Sequence, residues 1–176
     1  MSLSVIVILL LLLLPSAPGF GQTDETPQEY QLKAKYVLNI PLFTEMPPQS
    51  KHNNSYTICL IGATPLESVL GSSQGKLIRN RTLKVLRVDD ISQVESCQML
   101  FIASSERHRL QVLLPEAHRR GILTISDMRN FARLGGMISL LIVDNRITFD
   151  VNRSAASKAS ISFSSNLLKL AHDIIN

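Results

Sequence analysis

Apolar residues recur along this chain with two different periods, and the places where the period changes mark the elements. From Gln28 to Ile40 the positions Tyr30, Ala34, Val37 and Leu38 fall at helical spacing, and Pro41 should kink or end that helix. Pro47, Pro48 and the polar run Gln49 to Ser55 predict a loop. Tyr56 to Ile61 reads as a buried strand closed by Gly62, with Pro65 at the first turn of a short helix reaching Leu70. Leu83 to Val88 alternates as a second strand. Met99 to Ala103 is more continuously apolar, the pattern of a central strand covered on both faces.

Ser104 or Ser105 should then cap a helix with Leu110, Val112, Leu113 and Ala117 at three- and four-residue steps, ending at Gly121. Ile122 to Ile125 is a fourth strand. Asp127 is expected to cap a short helical turn, Met128 to Leu134, stopped by Gly135 and Gly136. Met137 to Val143 and Arg146 to Val151 read as two strands joined by a tight turn at Asp144 and Asn145. Asn152 and Ser164 look like caps of two final helices, the second with Leu167, Leu170, Ala171 and Ile174 on one stripe. Strands alternating with helices and finishing in a hairpin predict an α/β fold. The expected form is a three-layer Rossmann-like domain whose sheet is mainly parallel, with an antiparallel hairpin at one edge.

The N-terminus changes the picture. Val5 to Leu14 are uninterrupted apolar residues, followed by Pro15 and the small-residue string Ser16 to Gly21. A helix of that length reaches only about 15–18 Å, short of a hydrocarbon core of roughly 30 Å, so the run reads as the apolar region of a signal peptide. Cleavage is expected after Gly21 or Gly19, leaving residues 22–176 as a single domain. With no cysteine of lipobox type near the cleavage region, the expected product is a soluble periplasmic protein.

Of the 176 residues, 45% are apolar and 18% charged, which excludes a disordered chain. Lys and Arg number 18 against 14 Asp and Glu, a net charge of +4. Export removes most of the case for nucleic acid as a partner, and the densest basic cluster, Arg107 to Arg109 with His118 to Arg120, reads as a solvated helix face. Two cysteines exclude a cysteine-rich zinc site, and His52, His108, His118 and His172 lack metal-ligand spacing. Gly71 to Lys76 imitates a phosphate loop but is one residue short, with Leu77 where Ser or Thr would hold magnesium. No nucleophile elbow is present. The sequence therefore predicts no catalytic, metal or cofactor site.

Cys59 and Cys97 would be neighbours if the first and third strands adjoin, as in flavodoxin-like order, and export favours a bridge between them. The alternative is two buried reduced thiols. In open α/β sheets ligands lie beyond the carboxyl ends of the strands. Here that rule points to Gly62, Thr64, Ser104, Ser105, Ser126 and Asp127, several of which could equally serve as helix caps.

The stretch Ser126 to Ile138 followed by Ile147 to Asn152 closely resembles the signature of the YfiR/HmsC-type periplasmic proteins. Other blocks fit the same family: Glu29, Tyr30, Lys33, Ala34, Tyr36, Asn39 and Phe43; Cys59, Leu60, Gly62 and Pro65; and Ile161, Ser164, Leu167, Leu168, Leu170 and Ala171. Met46 replaces the family's usual Trp, Pro41 interrupts the first helix, and a second cysteine pair found in some members is absent. The resemblance implies a non-enzymatic regulator that binds and represses the periplasmic sensor domain of an inner-membrane diguanylate cyclase, lowering cyclic-di-GMP and biofilm formation. It further implies an outer-membrane lipoprotein that sequesters the repressor, and it is compatible with a homodimer. Phe131, Arg133 and Met137, flanking the double glycine, have the composition of an interface hot spot if exposed; the alternative is that Phe131 and Met137 pack inside. Two rival readings are a periplasmic small-ligand-binding module serving a sensor kinase or transporter, and an exported hydrolase for which no nucleophile and base are evident.

Overall fold

A strand buried on both faces needs apolar side chains on both sides of the pleat, and Ser55–Ile61 (β2) supplies them: every one of its residues is buried. It is the hub of the computed structural model, which describes residues 27–47 and 54–176. The apolar leader with its cleavage region, and Pro48 and His52 in the predicted loop, lie outside the described residues.

Arg81–Val88 (β4) and Met99–Ile102 (β5) flank β2 in parallel, followed outward by Leu123–Ser126 (β6) and Ile138–Val143 (β7), also parallel. Leu77–Ile78 (β3) adds an antiparallel edge to β4. At the other side Arg146–Asn152 (β8) turns back antiparallel on β7, and Asp173–Ile175 (β10) runs parallel to β8. The sheet thus has the order β10-β8-β7-β6-β5-β2-β4-β3. A second, two-stranded sheet pairs Thr44–Glu45 (β1) with Ser162–Phe163 (β9). The fold is the expected three-layer α/β arrangement, mainly parallel with an antiparallel hairpin towards one edge.

Helices cover both faces. Pro27–Asn39 (α1), Leu66–Gly71 (α2), Arg153–Lys158 (α4) and Ser165–Leu170 (α5) lie over one core, which contains Val37, Ile58, Leu60, Phe101, Ile125 and Val151. Leu110–Arg119 (α3) and the 3₁₀ turn Ile91–Ser96 cover the other, with Ile61, Leu100, Ile102, Leu113 and Phe131. Successive residues of β2 and β5 divide between the two cores, as the two-residue pleat requires. Pro41 ends α1 as its ring dictates, and the chain continues as a 3₁₀ turn, Ile40–Phe43. Asp144 and Asn145 both adopt positive φ, which closes the β7–β8 hairpin as predicted.

Three expectations are corrected. The final helix stops at Leu170, and Ile174 belongs to strand β10, because a strand there can pair with the otherwise open edge of β8. Residues 128–135 form turns and not a helix. Neither Ser104 nor Ser105 caps a helix through its side chain; a 3₁₀ turn, Ser104–Arg109, precedes α3 and begins at the extended residue Ala103.

Cys59 on β2 and Cys97 just before β5 are bridged, with Cα atoms 5.8 Å apart, because β2 and β5 adjoin. The bridge closes a span of 38 residues. Reducing it, or replacing both cysteines by alanine, is expected to lower unfolding stability by about 3–4 kcal/mol in urea titrations. Denatured but unreduced protein should take up no thiol label.

Candidate functional site

The connections from β2 to β4 and from β5 to β6 leave on opposite sides, so the topological switch point lies between the carboxyl ends of β2 and β5. Gly62, Thr64, Ser104 and Ser105 do converge there, but the chain fills the crevice itself. The backbone N–H of Ala63 donates to Ser105 Oγ at 3.2 Å, and Thr64 Oγ1 accepts from the N–H of Leu66. Gly62 has φ +85°, and a Cβ on it would lie 2.6 Å from Ser105 Oγ and 2.7 Å from Glu106 Cγ. Glycine is needed so that these two side chains can close over the strand end.

Ser126 and Asp127 lie one strand away, at the end of β6, where both side chains are engaged. Ser126 is fully buried; its hydroxyl donates to the carbonyl of Ile102 at 2.6 Å and accepts from the N–H of Met128 at 2.9 Å. It is Ser126, and not Asp127, that secures the start of the following turn. Asp127 instead receives the ammonium of Lys33 at 2.8 Å.

Between β6 and β7 a turn segment covers the sheet where a crossover helix would be expected. Its backbone N–H groups are buried and need partners. Ala132 N–H donates to Ser139 Oγ, Met137 N–H to Thr124 Oγ1, and the amide of Asn152 donates to the carbonyl of Ala132 at 2.7 Å. Asn152 also caps α4 by accepting from Ala155 N–H. Phe131 and Met137 are completely buried, which corrects the expectation that they present themselves to a partner. Their neighbours explain why: a Cβ on Gly136 would fall 2.0 Å from the Phe131 ring, so the second glycine lets the backbone lie flat on the aromatic face. Of the three predicted contact residues only Arg133 is exposed, and its guanidinium pairs with Asp173 of β10 at 2.6 Å.

Lys33 is the feature that the helical pattern hides. It sits among Tyr30, Ala34 and Val37 on the buried stripe of α1, and its side chain is 4% exposed. Its ammonium meets Glu29 at 2.6 Å, Asp127 at 2.8 Å and the face of the Tyr30 ring at 4.6 Å. A lysine at a stripe position is the signal that could have exposed this cluster in advance, since a buried cation requires paired anions. The cluster fastens α1 to the carboxyl end of β6.

Beside the turn, a cleft of ≈ 420 Å³ runs between α3, Leu134 and α4. Leu110 and Leu114 give it an apolar wall, Arg107 and Lys158 make its rim basic, and His118 lines it as well. Burial holds the His118 imidazole below its usual pKa, with the Lys158 charge acting in the same direction, so the ring is neutral near pH 7. Among the described residues no group of three or more His, Cys, Asp or Glu could hold a metal ion.

Two stability predictions follow from these contacts. Lys33→Met removes the cation that Glu29 and Asp127 share and is expected to cost about 3–5 kcal/mol; Lys33→Met combined with Asp127→Leu should recover part of that loss in a double-mutant cycle. Gly136→Ala forces Phe131 from its seat and is expected to cost about 1–3 kcal/mol or more in chemical denaturation.

No curated protein matches the chain. Among solved structures it is similar to the ABC domain in complex with L-Trp from Streptococcus pneumonia, with a TM-score of 0.53 and 10% identity over 83% of this chain and 60% of that one. It is also similar to a conserved domain protein from Vibrio cholerae, with a TM-score of 0.54 and 9% identity over 82% of this chain and 60% of that one. The chain spans 60% of the length of each, and at such identities the likeness is one of fold. The YfiR/HmsC-like family model matches residues 30–172, from the tyrosine under Lys33 through the Phe131 turn to the start of β10. The chain belongs to the YfiR/HmsC-like family.

Proposed function

We propose that this protein is an exported, non-enzymatic repressor that binds the periplasmic sensor domain of an inner-membrane diguanylate cyclase and holds it inactive. Cyclic-di-GMP and biofilm formation are lowered as a result. The observation that carries this reading is membership of the YfiR/HmsC-like family over residues 30–172. Two features of the chain support export: the apolar leader followed by small residues, and a cystine in the core, the state expected in an oxidising compartment. No helix among the described residues is long and apolar enough to cross a membrane.

Such a repressor acts through a difference in affinity: it must bind the inactive cyclase more tightly than the active one, because equal affinity shifts no population. An outer-membrane lipoprotein competing for the same surface would release the cyclase. With Phe131 and Met137 inside, the surface that the turn offers comprises Arg129, Asn130, Arg133 and the 45% exposed Leu134, with the basic-rimmed cleft adjoining. An apolar wall edged by cations suits a partner segment that carries an apolar anchor beside acidic residues. The rival reading of a small-ligand module at the strand ends is disfavoured by the side chains of Ser105 and Glu106 that occupy the crevice.

Deleting the gene should raise cellular cyclic-di-GMP and biofilm; unchanged levels would remove a cyclase as the partner. With the purified sensor domain, Leu134→Asp is expected to weaken binding by about tenfold or more while the unfolding midpoint stays put. Undiminished binding by that variant would move the contact away from the turn.

A further inference from the structure

At the amino ends of the parallel strands, opposite the filled crevice, a second cleft of ≈ 340 Å³ opens beside Tyr56 of β2 and Arg81 of β4. Gln98, just before β5, lines it too, with Met46 and Glu45 on one side and Arg79 on the other. Its chemistry is one-sided. Arg79 and Asn80 form the two-residue turn between β3 and β4, with φ of +51° and +62°. That geometry favours Gly or Asn, so the arginine occupies an unfavourable backbone position to bring its guanidinium here. Arg79 donates to the carbonyl of Thr44 but has no ion pair among the described residues, and the Arg81 guanidinium has neither an ion pair nor a hydrogen bond among them. Glu45, the one carboxylate on the lining, accepts instead from Ser162 Oγ at 3.2 Å.

The third donor is Tyr56. The residue is 2% exposed, and its hydroxyl points to the thioether sulfur of Met46 at 3.9 Å, a weak acceptor for a buried phenol. Burial pushes its pKa well above the ordinary tyrosine value, outweighing the opposite pull of Arg79 and Arg81, so the hydroxyl keeps its proton and remains a donor. Both guanidiniums are thus close enough to act on the phenol. Among the described residues, then, neither cation on this small cleft has a carboxylate partner, and the O–H donor beside them has only a weak one.

We infer that this cleft binds a phosphoryl group, held by the guanidiniums of Arg79 and Arg81 with the Tyr56 hydroxyl as a third donor. A tetrahedral dianion balances two adjacent charges and offers oxygens in three directions, whereas a carboxylate offers two in one plane. The volume suits inorganic phosphate or the head of a small phosphomonoester. On binding, the phenol exchanges the sulfur of Met46 for an oxygen acceptor. The site lies away from the Leu134 surface and requires no protein partner, so its test is separate from that of the repressor reading.

The experiment is calorimetric titration and thermal unfolding of the mature protein with inorganic phosphate and, separately, with glycerol phosphate, against sodium chloride and acetate at matched ionic strength. Saturable heat and a raised midpoint with either phosphoryl compound, absent with chloride and acetate, is the expected result. Tighter binding of the ester identifies a phosphorylated metabolite as the class, and equal binding identifies the free ion. Arg81→Gln should weaken binding by roughly tenfold or more, and Tyr56→Phe by a smaller factor, with midpoints in the absence of ligand unchanged. The inference is overturned if neither phosphoryl compound binds, if chloride or acetate gives the same shift, or if a folded Arg81→Gln protein binds as the unsubstituted one does.

Discussion

A sheet whose five central strands, β4, β2, β5, β6 and β7, all run parallel has to be kept dry on both faces, and most of this molecule can be derived from that requirement. Helices meet it on the α1 side. On the other side α3 covers β5 and its neighbours, but the link from β6 to β7 has no helix to contribute. A turn placed over a sheet brings buried peptide groups with it, and the strands below supply the answer in small hydroxyl side chains. Thr124, Ser126 and Ser139 stand where apolar residues would otherwise be, each accepting from a backbone N–H of the turn. Asn152 completes the set from β8. Phe131 then provides the apolar mass that a helix would have brought, and Gly136 allows the backbone to sit on its ring.

That origin alters what the family signature means. Its buried residues, Ser126, Phe131, Gly136 and Met137 among them, hold a turn in place. What reaches solvent is the outer side of the turn, Arg129, Asn130, Arg133 and Leu134, with the cleft along α3 beside it. The same economy of space governs the carboxyl ends of the strands, where ligands settle in many α/β proteins. Here Ser105 and Glu106 lie across Gly62, and Asp127 is engaged by Lys33. At the amino ends a cleft lined by Arg79, Arg81 and Tyr56 stays open instead.

Lys33 shows how charge and packing are joined in this fold. Once α1 lies on the sheet, its ammonium cannot reach bulk water, and Glu29 and Asp127 close around it. The attraction ties the first helix to the end of β6, distant in sequence, and gives the helix a defined position that apolar contacts alone would specify less sharply.

Local pattern was enough to determine the strands from β2 to β8 apart from the two-residue β3, the caps at Asn152 and Ser164, and the hairpin at Asp144 and Asn145, because pleat alternation, cap hydrogen bonds and positive φ are properties of a few adjacent residues. The family blocks and the prospect of a Cys59–Cys97 bridge were legible for the same reason, conditional on which strands adjoin. Tertiary structure decided whatever depends on residues far apart in the chain. The cystine required β2 beside β5; the burial of Phe131 and Met137 required hydroxyl acceptors from two strands, β6 and β7; Ile174 entered a strand because β8 had an open edge. The partnership of Lys33 with Asp127, and the convergence of Arg79, Arg81 and Tyr56 on one cleft, arise only when the sheet order sets separate segments side by side. Sequence spacing encodes a face of one element, and it carries no information about which face of another element will meet it.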